Sequence, residues 1–389
     1  MKKSLLILAF LPFALWAQEE EKQVKNVILL IGDGMGVSQL STAYYFNGDK
    51  TPNFSRFPFV GLINTSSAKE KVTDSAAGAT AFATGSRSYN GAISVDINKK
   101  PLPTLIEVIE KKDIRSGLVA TSSITHATPA CFYAHVEARG MAEEIARALP
   151  KSGVDFFAAG GLKFFNKRSD KINYYIELIK KGFSLDTTQL DPEMKVKITK
   201  KYGFLLAENG LDSKLDGRGD FLPNATQLAI NYLSQSKEGF FLMVEGSQID
   251  WEGHSTNAQG IIDEVLDFDK AVGKALDFAE KDGETLVIVT SDHETGGFAL
   301  PPKSKNGSWD DNIIHPEFYK GADDSTLAYA AHTATLVPVL AYGPSAIQFA
   351  GIYDNTAIYH KIMKATAWNI SDRKQDEKAP KQIRPLQNY

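Results

Sequence analysis

Val27-Ile28-Leu29-Leu30-Ile31-Gly32-Asp33-Gly34 holds five consecutive apolar residues stopped by a glycine, an acid and a second glycine. A strand with one wet face alternates apolar and polar residues. An unbroken run of this length reads instead as a strand buried on both faces of a sheet. The same pattern recurs at Leu118–Ala120, Phe240–Val244, Leu286–Val289 and Val337–Ala341. Helical patterns lie between the runs. Leu105–Ile109 follows Pro103, and in Asn257–Glu280 an apolar stripe passes through Ile261, Ile262, Val265, Leu266, Phe268, Val272, Ala275 and Leu276. Strands alternating with helices predict an α/β fold, a three-layer sandwich with a mostly parallel central sheet and helices on both faces.

In open α/β sheets ligands bind beyond the carboxyl ends of the strands. Val27–Ile31 leads into Asp33, Phe240–Val244 into Glu245, and Leu286–Val289 into Asp292 and His293. A single acid after a strand is usually a turn former. Three acids and an imidazole sent to one edge repel unless a cation binds among them, which predicts a metal site. Asp250 and His254, four residues apart, face the same way if their segment is helical, and His332 precedes the last apolar run. Aspartate with two histidines suits zinc with one position left open. Taken alone this spacing is a weak signal, and an isolated pair of this kind more often means that Asp250 caps a turn and His254 is a surface histidine.

Thr73-Asp74-Ser75-Ala76-Ala77-Gly78-Ala79-Thr80-Ala81 is rich in small residues and predicts the start of a helix. A serine there is ordinarily an N-cap, yet a helix N-terminus also favours phosphate or an alkoxide. Serine needs a base or a metal to become a nucleophile. No G-x-S-x-G surrounds Ser75, so metal activation is the natural reading.

The 389 residues are 43% hydrophobic and 23% charged, the composition of a soluble globular protein. A net charge of -4 carries no basic footprint of a nucleic-acid-binding module. Lys2 and Lys3, an apolar run from Leu5 to Trp16, and Ala17 before a polar stretch predict a secretory signal peptide over residues 1–17. The run is shorter than the roughly 20 apolar residues that span a bilayer. No later segment reads as a membrane anchor, so a secreted or periplasmic protein is expected. Cys131 is the only cysteine, which excludes an intrachain disulfide, and its apolar setting reads as a small buried filler. His135, His315 and His360 lack partners at metal spacing and read as ordinary histidines, and the polar tail 372–389 as a frayed end.

Taken together, Gly32-Asp33-Gly34-Met35-Gly36, Thr73-Asp74-Ser75-Ala76-Ala77, His126-Ala127-Thr128-Pro129-Ala130 with Arg139, Val244-Glu245-Gly246, Asp250 with His254, Thr290-Ser291-Asp292-His293-Glu294 and His332-Thr333 resemble the alkaline phosphatases in order and spacing. The resemblance runs from about Lys25 to about Asp354 and is strongest to small cold-adapted bacterial members. It implies an alkaline phosphatase-like catalytic domain over 18–389. It also implies hydrolysis of phosphate monoesters to alcohol and inorganic phosphate at alkaline pH, through a phosphoserine on Ser75.

Two zinc ions, one magnesium ion and a homodimer are implied as well. Residue by residue, Asp250, His254 and His332 would hold the first zinc. Asp33, Asp292, His293 and the Ser75 oxygen would hold the second. Asp33, Thr128 and Glu245 would form an all-oxygen third site that suits magnesium, with His126 either ligating there or bonding to waters. Arg139 would grip two phosphate oxygens through its planar fork, with Asp74 orienting it or capping the helix. Trp251 stands where relatives often carry Lys or His near the phosphate. An indole has no charge and one donor, which predicts weaker phosphate retention and faster product release. Gly34 and Gly36 are expected to permit close packing beside Asp33.

A phosphodiesterase, sulfatase or phosphomutase on the same scaffold is the first rival. Sulfatases need C/S-x-P-x-R, whereas Ser75 precedes Ala76-Ala77-Gly78-Ala79. A mutase would keep two metals without the Thr128, Glu245 and Arg139 group. An inactive metal- or phosphate-binding protein is the second rival, and the presence of every expected ligand argues against it.

Overall fold

The structure, a computed structural model, describes residues 23–305, 308–319 and 331–368. The expected signal peptide and the polar tail lie outside these residues. The first strands in chain order are β1 (Asn26–Gly32), β2 (Phe59–Asn64), β3 (Arg115–Ser123), β4 (Phe156–Gly160), β5 (Phe183–Asp186), β6 (Lys201–Leu205) and β7 (Phe240–Gly246). They are followed by β8 (Thr285–Thr290), β9 (Glu294–Thr295), β10 (Pro302–Lys305), β11 (Ser308–Ile314), β12 (His332–Thr333), β13 (Val337–Tyr342) and β14 (Gly351–Asp354). Ten of them form one sheet in the order β14-β2-β13-β8-β1-β7-β3-β4-β6-β5. Its pairings are parallel except where β13 meets β2 and β8.

All five apolar runs read from the sequence are strands of this sheet. Every residue of β1 is buried, and its side chains alternate between two cores. Val27, Leu29 and Ile31 pack with Ala76, Ala79 and Phe82 of the helix Ser75–Thr84, and Ile28 and Leu30 pack with Ile261, Val265 and Phe268 of the helix Ala258–Asp282. Each such side chain contributes about 1.5–3 kcal/mol by leaving water. This places helices on both faces and makes the three layers. The long helix starts where the sequence suggested, with the Asn257 side chain accepting from Gly260 N, and ends on left-handed Gly283.

The strands that sequence patterning passed over have physical reasons for being missed. β2 keeps half-buried and exposed positions, and β5 has four residues. Phe156-Phe157-Ala158-Ala159 of β4 is fully buried, but phenylalanine and alanine do not separate strand from helix in so short a run.

Candidate active site

Strands β8, β1, β7 and β3 are consecutive in the sheet and mutually parallel, so their carboxyl ends open onto one edge. Asp33 follows β1, Glu245 closes β7, Asp292 and His293 follow β8, and His126 and Thr128 follow β3. The first three deliveries were legible in the strand runs. The fourth strand end adds His126 and Thr128. Three groups able to hold a metal ion result: Asp250 with His254 and His332, Asp33 with Asp292 and His293, and Asp33 with His126 and Glu245. Within each group the ligand atoms lie within 4.8 Å of one another.

Ser75 is the first residue of its helix, but it is not the cap. Asp74 occupies that position, and its Oδ1 accepts from Ala77 N and Gly91 N. The serine hydroxyl is therefore released from capping and lies 3.2 Å from His293 Nε2. The helix and the metal-capable carboxylates approach closely because residue 78 is glycine: a Cβ there would sit 2.9 Å from Asp292 Cβ. Asp74 also orients Arg139, whose Nη1 donates to Asp74 Oδ2 at 3.0 Å. Both roles weighed for Asp74 are thus filled at once.

His332 and Thr295 face each other across a two-strand antiparallel ribbon, β12 with β9. The helix Gln248–His254 brings Asp250 and His254 to the same place. His332 Nδ1 lies 2.9 Å from the Thr73 carbonyl, which can only accept. When the ring is neutral, its Nε2 lone pair therefore points at His254 Nε2, 3.1 Å away, and at Asp250 Oδ1, 3.4 Å away. Two imidazole nitrogens and a carboxylate oxygen converging in this way match the donor set of zinc. The rings of His293 and His332 stack with centroids 3.5 Å apart, so the two groups adjoin.

The electrostatics ask for a cation. Asp33, Glu245, Asp292 and His293 are fully buried. Burial and then the charges of Asp292, Asp250 and Glu245 push the Asp33 carboxyl well above its usual range. Burial likewise pushes Glu245 up to about 7 and Asp292 up to about 6, and drives His126 and His293 down to about 3. Asp292 Oδ1 accepts from the backbone N of Gly34 and of His293, and Glu245 Oε2 from Ser122. Their other oxygens, both oxygens of Asp33 and the Thr128 hydroxyl are buried without a hydrogen bond. Buried polar atoms in this condition cost free energy unless a ligand satisfies them. These residues fit metal cations bound among them.

His126 lies between Arg139 and Trp251. Arg139 Nη2 lies 3.2 Å from His126 Nε2, and a guanidinium only donates. Nε2 is thus the acceptor, and in the neutral ring the proton resides on Nδ1. The Trp251 indole meets the His126 ring edge-on, with centroids 5.8 Å apart, and packs on Gly210. The loop carrying Gly210 is tied down by Gln248, whose Nε2 donates to the carbonyls of Thr121, Leu211 and Asp212.

The remaining single residues behave as their sequence settings suggested. Cys131 is buried against Thr80, and burial pushes its thiol up to about 12, which leaves it unreactive. His135, His315 and His360 are engaged by Glu107, Glu317 and the Gly85 carbonyl, away from the metal-capable groups. Thr295 was not foreseen. The available signal was period two, which puts residues 293 and 295 of a short strand on one side.

A profile of the alkaline phosphatase family matches residues 24–164 and 185–312. Alkaline phosphatase 3 of Bacillus subtilis is 36% identical, over 91% of this chain and 92% of that protein. The Escherichia coli alkaline phosphatase is 30% identical, over 89% and 86%. Among solved structures, the alkaline phosphatase of the Antarctic bacterium TAB5 is 49% identical and superimposes with a TM-score of 0.84, covering 90% of this chain and all of that one. A variant of that protein with one histidine changed to aspartate has Mg bound in the site called M3. With its metal-capable groups gathered at one sheet edge and its likeness to these proteins over nearly all its length, the chain belongs to the alkaline phosphatase family, hydrolases of phosphate monoesters.

Proposed function

We propose that the chain hydrolyses phosphate monoesters through a phosphoserine on Ser75, with two zinc ions and one magnesium ion as cofactors. The observation that carries this reading is the Ser75 hydroxyl, freed from capping by Asp74 and 3.2 Å from His293 Nε2 inside the metal-capable cluster. Asp250, His254 and His332 would hold one zinc, and Asp33, Asp292, His293 and Ser75 the other. Asp33, Thr128 and Glu245 would hold magnesium. Bound there, the ions would supply Lewis acidity that lowers the serine pKa and balances charge on the attacking and leaving oxygens.

The residues do the rest. Ser75 Oγ releases its proton to solvent and forms the bond to phosphorus, while the bond from phosphorus to the ester oxygen breaks and that oxygen takes a proton from water to leave as the alcohol. Water then releases inorganic phosphate and restores the hydroxyl. Arg139, held by Asp74, grips phosphate oxygens with its fork, and the free N–H groups of the helix Ser75–Thr84 face the same charge. The His126 Nδ1–H suits donation to water in the third site rather than direct ligation. Trp251 brings no charge to the phosphate, which favours release of product. Need for an ionised serine fits an alkaline working range. The leader-like residues 1–17 support export to the periplasm or beyond, and the family resemblance supports a homodimer.

The test is turnover of p-nitrophenyl phosphate by Ser75→Ala, with acid-quenched enzyme examined by mass spectrometry for phosphoserine. Loss of at least about a thousandfold in kcat is expected, together with loss of the phosphopeptide. Near-normal turnover by the variant would overturn the assignment.

A further inference from the structure

Thr295 is 1% exposed and belongs to no motif quoted above. Its hydroxyl donates to Asp250 Oδ1 and lies 3.2 Å from His293 Nδ1. A threonine hydroxyl has one proton, and an ionised carboxylate accepts only, so that proton is committed to Asp250. The contact with the imidazole must then run the other way, with Nδ1–H donating to the threonine oxygen. His293 Nε2 is left with its lone pair, facing Ser75 Oγ at 3.2 Å and Asp33 Oδ1 and Asp292 Oδ2 at 3.4 Å.

One hydroxyl thus touches a residue of each of two metal-capable groups. The threonine itself is firmly held. Its backbone N donates to the Gly34 carbonyl, its methyl group packs where a Cβ on Gly253 would fall, and its register partner across the ribbon is His332. We propose that Thr295 is a positioning residue that couples the two zinc sites through the directed chain from His293 Nδ1–H to the Thr295 hydroxyl to Asp250. The proposal rests on reading those two groups as zinc sites. Hydrogen bonds in series polarise one another. A cation drawing on His293 Nε2 makes Nδ1–H a stronger donor, which makes the Thr295 hydroxyl a stronger donor to Asp250 and fixes that carboxylate for the neighbouring ion. Partners of this outer kind set the tautomer and orientation of metal-binding histidines.

The experiment measures zinc binding to the metal-stripped full chain by competition with a chromogenic chelator, for wild type, Thr295→Val and Thr295→Ser. Valine keeps the shape and removes the hydroxyl, and serine keeps the hydroxyl. Expected is a loss of about tenfold or more in affinity at both sites in the valine variant, restored by serine. Should the valine variant fail to fold, Thr295→Ala carries the same comparison. Wild-type affinities in the variant lacking the hydroxyl, or weakening at one site alone, would overturn the coupling. Absence of tight zinc binding by wild type would instead defeat the proposed function on which the coupling rests.

Discussion

Asp74 and Ser75 divide two jobs that either residue type can do. Both are good N-cap residues, and the helix takes the aspartate, whose second oxygen remains for Arg139. That choice is what leaves the serine hydroxyl available for chemistry. His135 shows the same economy at a structural position. Its Nδ1 lies 2.8 Å from the Ser94 carbonyl and its Nε2 3.0 Å from Glu107, two acceptors that together demand the doubly protonated ring. Burial opposes that charge, but the Glu107 and Ser94 hydrogen bonds outweigh it and raise the pKa. A folded pKa above the unfolded value of about 6.5 means that this stabilisation is complete below pH ~6.5 and is lost as pH rises through the folded pKa. His135→Gln should therefore destabilise the protein by about 1 kcal/mol near pH 6 and by less at pH 9, measured by urea unfolding at both values. Equal losses at the two pH values would count against a charged His135.

At the scale of elements, the site depends on how closely short pieces of backbone approach. Gly34 adopts a φ of 73°, and a Cβ there would fall 2.7 Å from Thr295 Oγ1 and 2.8 Å from Asp250 Cα. The turn after β1 can thus lie against both the ribbon and the helix Gln248–His254 only as glycine. Gly34→Ala should cost about 1–3 kcal/mol through overpacking and an unfavourable φ, and it should weaken zinc binding because Thr295 and Asp250 must move. Chemical denaturation alongside zinc titration checks this, and unchanged affinity would show that the close approach has no bearing on the metals. The loop under Trp251 is secured differently. Arg218 and Lys214 reach from it to Glu264 and Asp267 on the long helix, with the Arg218, Glu264 and Asp267 side chains almost fully buried. Gly210 is thereby held beneath the indole.

Across the whole molecule, buried and mutually repelling carboxylates are collected at one sheet edge, where four adjacent strands end. A cation that binds there in the folded chain and not in the unfolded one stabilises folding by mass action, about 2.7 kcal/mol when free metal is a hundredfold above Kd. Chelation should lower the melting temperature by several degrees, and zinc with magnesium should return it. A melting curve indifferent to chelator would mean that the carboxylates are balanced without metal. Much of this was legible beforehand. Unbroken runs such as Val27–Ile31 must be covered on both faces, which dictates strands with helices on each side, because burial is written into the local order of residues, and the acids that follow the runs mark the strand ends. The sequence by itself determined the three layers, the helix behind Ser75 and the acids Asp33, Glu245 and Asp292. Only tertiary structure decided that β13 runs against its neighbours, that Asp74 takes the cap, and that the Thr295 proton goes to Asp250. Those outcomes depend on which donors and acceptors meet between segments far apart in the chain, and no local period encodes that.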